Sequence, residues 1–270
     1  MVKVRSEEEL KLIRESGHIT SEALKKVLDN LKIGVTGLEL DKLAENEIKK
    51  MGGESSFKTV EGYSHTICIT FNEQVVHGLP TNREIMKGDI VSIDLGTVYK
   101  GWHSDSAWSV LMSGSVAQSI SESERSKKEK FLRVGEEALW MGIKQAIEGN
   151  RVGDISSAIQ QKVESGGYSV VRSLVGHGVG KSLHEEPEVP GYGKASKGLE
   201  LQVGMTLAIE VIYTEGRYEV ILDKDGWTIS TRDGSLSGLF EMSVVVGRKE
   251  AEVITDWRSN LSHSGLTNGA

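Results

Sequence analysis

The sequence predicts an α+β fold built from a duplicated half, and three observations carry that prediction. Capped amphipathic helices are followed by strand-like apolar runs, and the same order then returns in the second part of the chain. Leu40, Leu43, Ala44, Ile48 and Gly52 map onto Ile155, Ala158, Ile159, Val163 and Gly167 at a constant offset of 115 residues. Lys87-Gly88-Asp89, with a strand running up to Asp94, answers Val203-Gly204-Met205 with a strand running up to Glu210, at an offset of 116. One match could come from shared helical period alone. Two in the same order, each containing glycine, favour duplication about a pseudo-twofold axis.

In chain order, Ser6 and Glu9 form a capping-box pattern that opens a helix with Leu10, Ile13, Leu24, Val27, Leu28 and Leu31 on its apolar face. Thr36 and Glu39 repeat the signal, and the second helix stops at Gly52-Gly53. Strand-like runs follow at Ile67 to Phe71, Asp89 to Tyr99 and Asp105 to Met112, with Asp105 starting its strand after a turn at Gly101. A polar, serine-rich stretch from Ser113 to Lys130 joins the halves. A long helix is expected from Phe131 to Glu148, and a shorter one from Gly153-Asp154 to Gly166-Gly167. The expected organisation is one domain over 1–258, with halves of about 1–120 and 121–258, followed by a mobile polar tail at 259–270.

Composition limits the function. The 270 residues are 38% hydrophobic and 26% charged, which suits a soluble globular protein with a sizeable core. A net charge of −7 without a basic run argues against nucleic-acid or anionic-membrane partners. The single cysteine, Cys68, excludes an internal disulfide framework and fits a reducing compartment. No apolar run reaches the ~20 residues of a membrane span, and no signal region follows Met1, so a cytoplasmic protein is expected.

Acids and a histidine stand where strands should be apolar. Asp94 lies within Ile90-Val91-Ser92-Ile93-Asp94-Leu95, Glu210 within Leu207-Ala208-Ile209-Glu210-Val211-Ile212, and Glu241 between Leu239-Phe240 and Met242-Ser243-Val244. Asp105 follows the Gly101 turn, and His177 sits in Gly176-His177-Gly178-Val179-Gly180. A buried carboxylate must be protonated, paired or bound to a cation. Singly, each acid reads more readily as a salt-bridged or edge residue. Together they outnumber the nearby lysines and arginines. Two divalent cations would balance four carboxylates, and oxygen-rich ligation with one imidazole suits hard or borderline first-row dications.

Phe71-Asn72-Glu73-Gln74-Val75-Val76-His77-Gly78-Leu79-Pro80 resembles the histidine-containing segment of methionine aminopeptidases. So do Asp94 and Asp105 eleven residues apart, Gly176 to Gly180 with His184-Glu185-Glu186-Pro187, and Glu210 and Glu241 thirty-one apart. The resemblance runs from about Glu8 to Thr255 and is to the bacterial-type, type I branch. It implies the pseudo-symmetric pita-bread fold, an antiparallel sheet core with helices outside. It also implies a metal-dependent hydrolase that removes the N-terminal methionine of nascent polypeptides before a small second residue, as a cytoplasmic monomer with transient ribosome contact.

By the same resemblance, Asp94 chelates one of two divalent ions, His177 with Glu210 the other, and Asp105 and Glu241 bridge them; Co, Mn, Fe, Zn and Ni are not distinguished. His77 and His184 face the substrate, Glu210 handles the proton of the attacking water, and Tyr63, Cys68, His77, Leu183 and Trp227 line the methionine pocket. His18, His65, His103 and His263 lack matching context and are read as structural. Val211, Met242, Val76 and Leu183 depart from residues usual in the family, and Lys58 to Thr66 is irregular against it. Two rivals remain. An Xaa-Pro peptidase of the same fold would bear an extra N-terminal domain and an arginine where this chain has Leu239. A non-catalytic scaffold would have lost ligands that this chain keeps.

Overall fold

A computed structural model of the chain describes residues 3–113 and 120–258. The expected tail at 259–270 lies outside the described residues, as does the middle of the joining stretch. Helix α1 spans Glu7–Asp29 and α2 Gly37–Lys50, and both begin with the expected reciprocal caps. The Glu9 backbone N–H donates to Ser6 Oγ at 3.3 Å, and the Ser6 N–H donates to Glu9 Oε2 at 2.9 Å. After the short β1 (Glu54–Ser55) come β2 (Ile67–Phe71), β3 (Gln74–Val76), β4 (Ile90–Tyr99) and β5 (Trp102–Leu111). Helices α3 (Glu122–Ile143) and α4 (Val152–Ser165) open the second half. It continues through β6 (Ser169–Val170), β7 (Gly176–Gly178), β8 (Glu185–Val189), β9 (Thr206–Thr214), β10 (Val220–Leu222), β11 (Ile229–Thr231), β12 (Ser237–Val245) and β13 (Glu252–Val253).

The repeat is visible in the elements. α2 and α4 have 14 residues each and begin 115 residues apart, as do α1 and α3, while β4 and β9 begin 116 apart. The large sheet runs β1-β4-β5-β12-β9-β7-β8 with antiparallel pairing, and β2, β6 and β13 pair beside β4, β9 and β12. A second sheet, β10-β11-β3, packs near it.

Strand alternation separates the two faces of the large sheet. Ile93 and Leu95, Ile209 and Val211, and Phe240 and Met242 join Leu24, Ile48, Phe131 and Ile155 of the helices in one buried core. The residues between them, Asp94, Glu210 and Glu241, therefore face the other way. Ala107, Ile212 and Leu239 belong to a smaller cluster with Val75 and Val76 on that opposite side.

Three boundaries differ from expectation. Asp105 does not begin β5 but is its fourth residue, because Lys100 (φ 48°) and Gly101 (φ 75°) make a two-residue turn pairing Tyr99 with Trp102. Two consecutive positive φ values match the twist of a hairpin, which lets the strands pair right up to the turn. β9 continues past Glu210 to Thr214, whereas β4 runs to Tyr99 as expected. The third helix begins at Glu122, capped by Ser121 Oγ on the Glu124 N–H at 3.2 Å, and ends at Ile143. Its first two turns lie in solvent and carry no apolar stripe.

Candidate metal centre

Cross-strand register brings the five candidate ligands to one face. Asp94 on β4 stands opposite Ala107 on β5, Ala107 opposite Glu241 on β12, and Glu241 opposite Glu210 on β9. Asp105 is two residues from Ala107 and so shares its face. His177 on β7 pairs with Ala208, two residues from Glu210. β7 is threaded between β8 and β9, and a Cβ at Gly176 or Gly178 would collide with the carbonyls of Ala208 or Glu186. The glycines flanking the histidine are thus what allow its strand into the sheet.

One ligand atom from each of Asp105, His177 and Glu241 lies within 4.8 Å of the others. His177 Nε2 is 3.6 Å from Glu210 Oε1 and 3.9 Å from Glu241 Oε1. Asp94 lines the same cavity beside them. The Nδ1 of His177 lies 2.9 Å from the Gly178 carbonyl, which can only accept. That bond places the proton on Nδ1 and leaves the Nε2 lone pair facing the carboxylates, as a metal ligand requires.

The electrostatics favour a cation. Burial raises Asp94, Glu210 and Glu241 well above the ordinary carboxylate range, and their mutual proximity with Asp105 raises them further. Burial pushes Asp105 up to about 7. Burial, and then neighbouring His184, holds His177 down to about 4, so it stays neutral. Buried Asp94 Oδ1 and Glu241 Oε1 have no hydrogen-bond partner, and among the described residues lining the cavity none is Lys or Arg. Four crowded carboxyls, two orphaned oxygens and a neutral imidazole fit a divalent metal, with no lysine or arginine among the described lining residues to take its place.

The centre floors a cavity of about 140 Å³. His77, Tyr63, Cys68, Leu183, His184 and Trp227 all line it. Tyr63 and Trp227 meet edge to face with ring centroids 5.0 Å apart, and the Tyr63 hydroxyl donates to the Ile67 carbonyl at 2.7 Å. His184 stacks edgewise on His177 at 4.4 Å. His77 (φ 58°) and His184 are exposed at the mouth, where partial loss of hydration lowers both pKa values and His184 lowers His77 further. His103 is buried away from the cavity lining, with Nδ1 2.6 Å from Ser56 Oγ.

Phe57, Val60 and Leu239 also line the cavity, and the sequence reading did not place them there. Leu239 could have been found from its spacing of two from Glu241 on one strand. Phe57 and Val60 sit in and just after a single 3₁₀ turn, Phe57–Thr59, which has no periodicity to read. Of the unusual residues, Val76 and Leu183 line the cavity, whereas Val211 and Met242 point into the helix-side core.

The chain matches the model of metallopeptidase family M24 over residues 11–247. It is 42% identical over 255 residues to a methionine aminopeptidase of Clostridium perfringens, covering 94% of this chain and 99% of that one. A crystal structure of methionine aminopeptidase from Thermotoga maritima is similar with a TM-score of 0.88 at 37% identity, covering 94% of this chain and 99% of that one. The prolidase of Pyrococcus furiosus shares the fold, with a TM-score of 0.71 at 21% identity, covering 93% of this chain and 65% of that one.

Proposed function

Since the chain belongs to metallopeptidase family M24, we propose that it acts as a methionine aminopeptidase, removing N-terminal methionine from polypeptides by metal-dependent hydrolysis. The convergence of Asp94, Asp105, His177, Glu210 and Glu241 on one face, with two buried oxygens lacking partners, is the observation that carries this reading. Asp94 would hold one divalent ion, His177 with Glu210 would hold the other, and Asp105 and Glu241 would serve both. When bound, the ions supply an activated water and polarise the scissile carbonyl.

The remaining chemistry belongs to side chains. His184, neutral and at the mouth, donates to the carbonyl oxygen as negative charge develops there. Glu210 handles the proton of the attacking water. His77 meets the substrate beside the cleaved amide. Tyr63, Cys68, Leu183 and Trp227 enclose an unbranched thioether against apolar and aromatic surface. The rest of the peptide leaves through the adjoining hollow bounded by Ser173, Leu174, Val175 and Ile212; the preference for a small second residue rests on the likeness to methionine aminopeptidases alone.

Among the described residues no helix is long and apolar enough to cross a membrane. By its likeness to methionine aminopeptidases, the chain is read as a cytoplasmic monomer acting on nascent chains with transient ribosome contact. The test compares a Met-Gly-type peptide with an Xaa-Pro peptide, each with and without added divalent metal. Metal-dependent cleavage of the first alone is expected. Preference for Xaa-Pro would make the chain a proline-specific peptidase, and inactivity on both would leave a binding scaffold.

A further inference from the structure

Leu183 and His184 sit in a loop from Gly180 to Glu185, and the loop owes its shape to a residue at the start of the chain. Glu185 closes it from within: Oε1 accepts the backbone N–H groups of Lys181 at 2.7 Å and Ser182 at 3.1 Å. Its other oxygen, Oε2, accepts from the guanidinium of Arg5, whose side chain is only 3% exposed. Burial alone would raise the Glu185 pKa, but Arg5 and the two loop N–H groups outweigh it and hold it low.

Arg5 is itself anchored. Its backbone N–H donates to the Gly204 carbonyl at 3.0 Å, and its guanidinium lies 5.3 Å from the Trp102 ring centroid. Its Nε is 3.5 Å from Thr206 Oγ1, a hydroxyl that donates to the Val179 carbonyl just before the loop. At the loop's start the Gly180 carbonyl accepts the His103 N–H at 2.7 Å, and a Cβ at Gly180 would collide with the guanidinium. A buried arginine persists only where its charge and its donors are matched. Here the match is a carboxylate that braces the loop facing the cavity.

We propose that Arg5 is a positioning residue: by fixing the Glu185 carboxylate it sets the loop that presents Leu183 and His184 to the substrate. The inference rests on the reading of His184 as donor to the scissile carbonyl. It assigns the N-terminal segment, remote in sequence from every ligand, a share in assembling the active site.

The test is a double-mutant cycle in the metal-loaded protein, read by kcat on a methionine-first peptide and by amide hydrogen exchange at Lys181 and Ser182. Arg5→Met is expected to lower kcat by about 10–10²-fold, the scale of a small misplacement of a reacting group. It should also speed exchange at both amides. In a His184→Ala background the same substitution should change kcat by less than about twofold, because the misplaced group is already gone. Arg5→Met/Glu185→Met removes both buried charges together and carries the same cycle where the single variant does not fold. Wild-type kcat in a folded variant, or an equal loss with and without His184, would overturn the proposal and leave Arg5 a stability residue. Full kcat in His184→Ala alone would instead overturn the reading on which the proposal rests.

Discussion

In the first half, β4 carries Asp94 beside β2, whose Cys68 stands opposite it; in the second, β9 carries Glu210 beside β7, whose His177 stands opposite Ala208. The partner strands carry Asp105 and Glu241 on either side of the β5–β12 junction. Each half thus supplies one carboxylate from its repeated strand and one from the strand next to the junction. The neighbouring strands differ. β2 is a five-residue, fully buried strand, and its Cys68 forms part of an apolar wall. β7 is a three-residue strand between glycines that admits an imidazole instead. Duplication accounts for four acids across an axis, and divergence accounts for an imidazole on one side and an apolar wall on the other.

The largest expected effect tests the symmetric part. Asp105→Asn and Glu241→Gln each remove a carboxylate proposed to serve both ions at equivalent places, so both should abolish turnover, by more than about 10³-fold and beyond the loss of a single oxyanion donor. Both should still fold, since metal-free protein with one carboxyl fewer is relieved of repulsion. Near-native kcat in either variant at full metal occupancy would break the equivalence of the halves. Next in size, His184→Ala, which probes the divergent half, should lower kcat by about 10²–10³-fold with metal retained. Loss of metal in that variant would move His184 into the ligand set.

A smaller effect concerns pH. The fold favours the protonated form of Asp105, whose pKa of about 7 lies above its ordinary value, so the folded chain binds more protons than the unfolded one between those limits. Asp105 therefore stabilises metal-free protein most below the ordinary carboxylate range, and the contribution fades as pH rises through about 7. Burial holds His177 down to about 4, which acts in the opposite sense, its contribution fading as pH falls from the ordinary imidazole range. Asp105→Asn removes the first effect together with the upward push that Asp105 gives Asp94, Glu210 and Glu241, which acts in the same sense. The Tm of metal-free wild type minus that of the variant should shrink steadily from pH 4 to pH 8, and a difference that grows would contradict the assigned protonation.

The parts legible in sequence were those where a local pattern and a burial requirement coincided. α2 has a capping box, α4 has an Asp154 carboxylate accepting the Arg151 N–H, both have helical spacing and glycine stops, and an acid inside Ile-Val-Ser-Ile-Asp-Leu is conspicuous because its neighbours must be buried. The first turns of α3 were illegible because Glu122 to Lys130 lies in solvent and needs no apolar stripe. β5 hid its first three residues because its turn is Lys100-Gly101, without the Asn-Gly or Asp-Gly usual at such a turn. Phe57 and Val60 reach the cavity from a 3₁₀ turn, and the bond from Arg5 to Glu185 spans the chain; neither leaves a local trace.

The smallest expected effect concerns the pocket wall. Leu183 is buried against Tyr63 and Cys68, so Leu183→Phe should narrow the cavity and increase discrimination against leucine- and norleucine-first peptides by ~1–3 kcal/mol in kcat/KM. Unchanged selectivity would mean that this wall does not contact the first side chain.

The central claim is that both halves together hold two divalent ions, and diffraction from crystals grown with Mn²⁺, collected for anomalous signal, tests it most directly. Two peaks should appear among Asp94, Asp105, His177, Glu210 and Glu241, with Asp105 and Glu241 touching both and Asp94 and His177 touching one each. A single peak held by one half alone, or peaks away from these side chains, would contradict it.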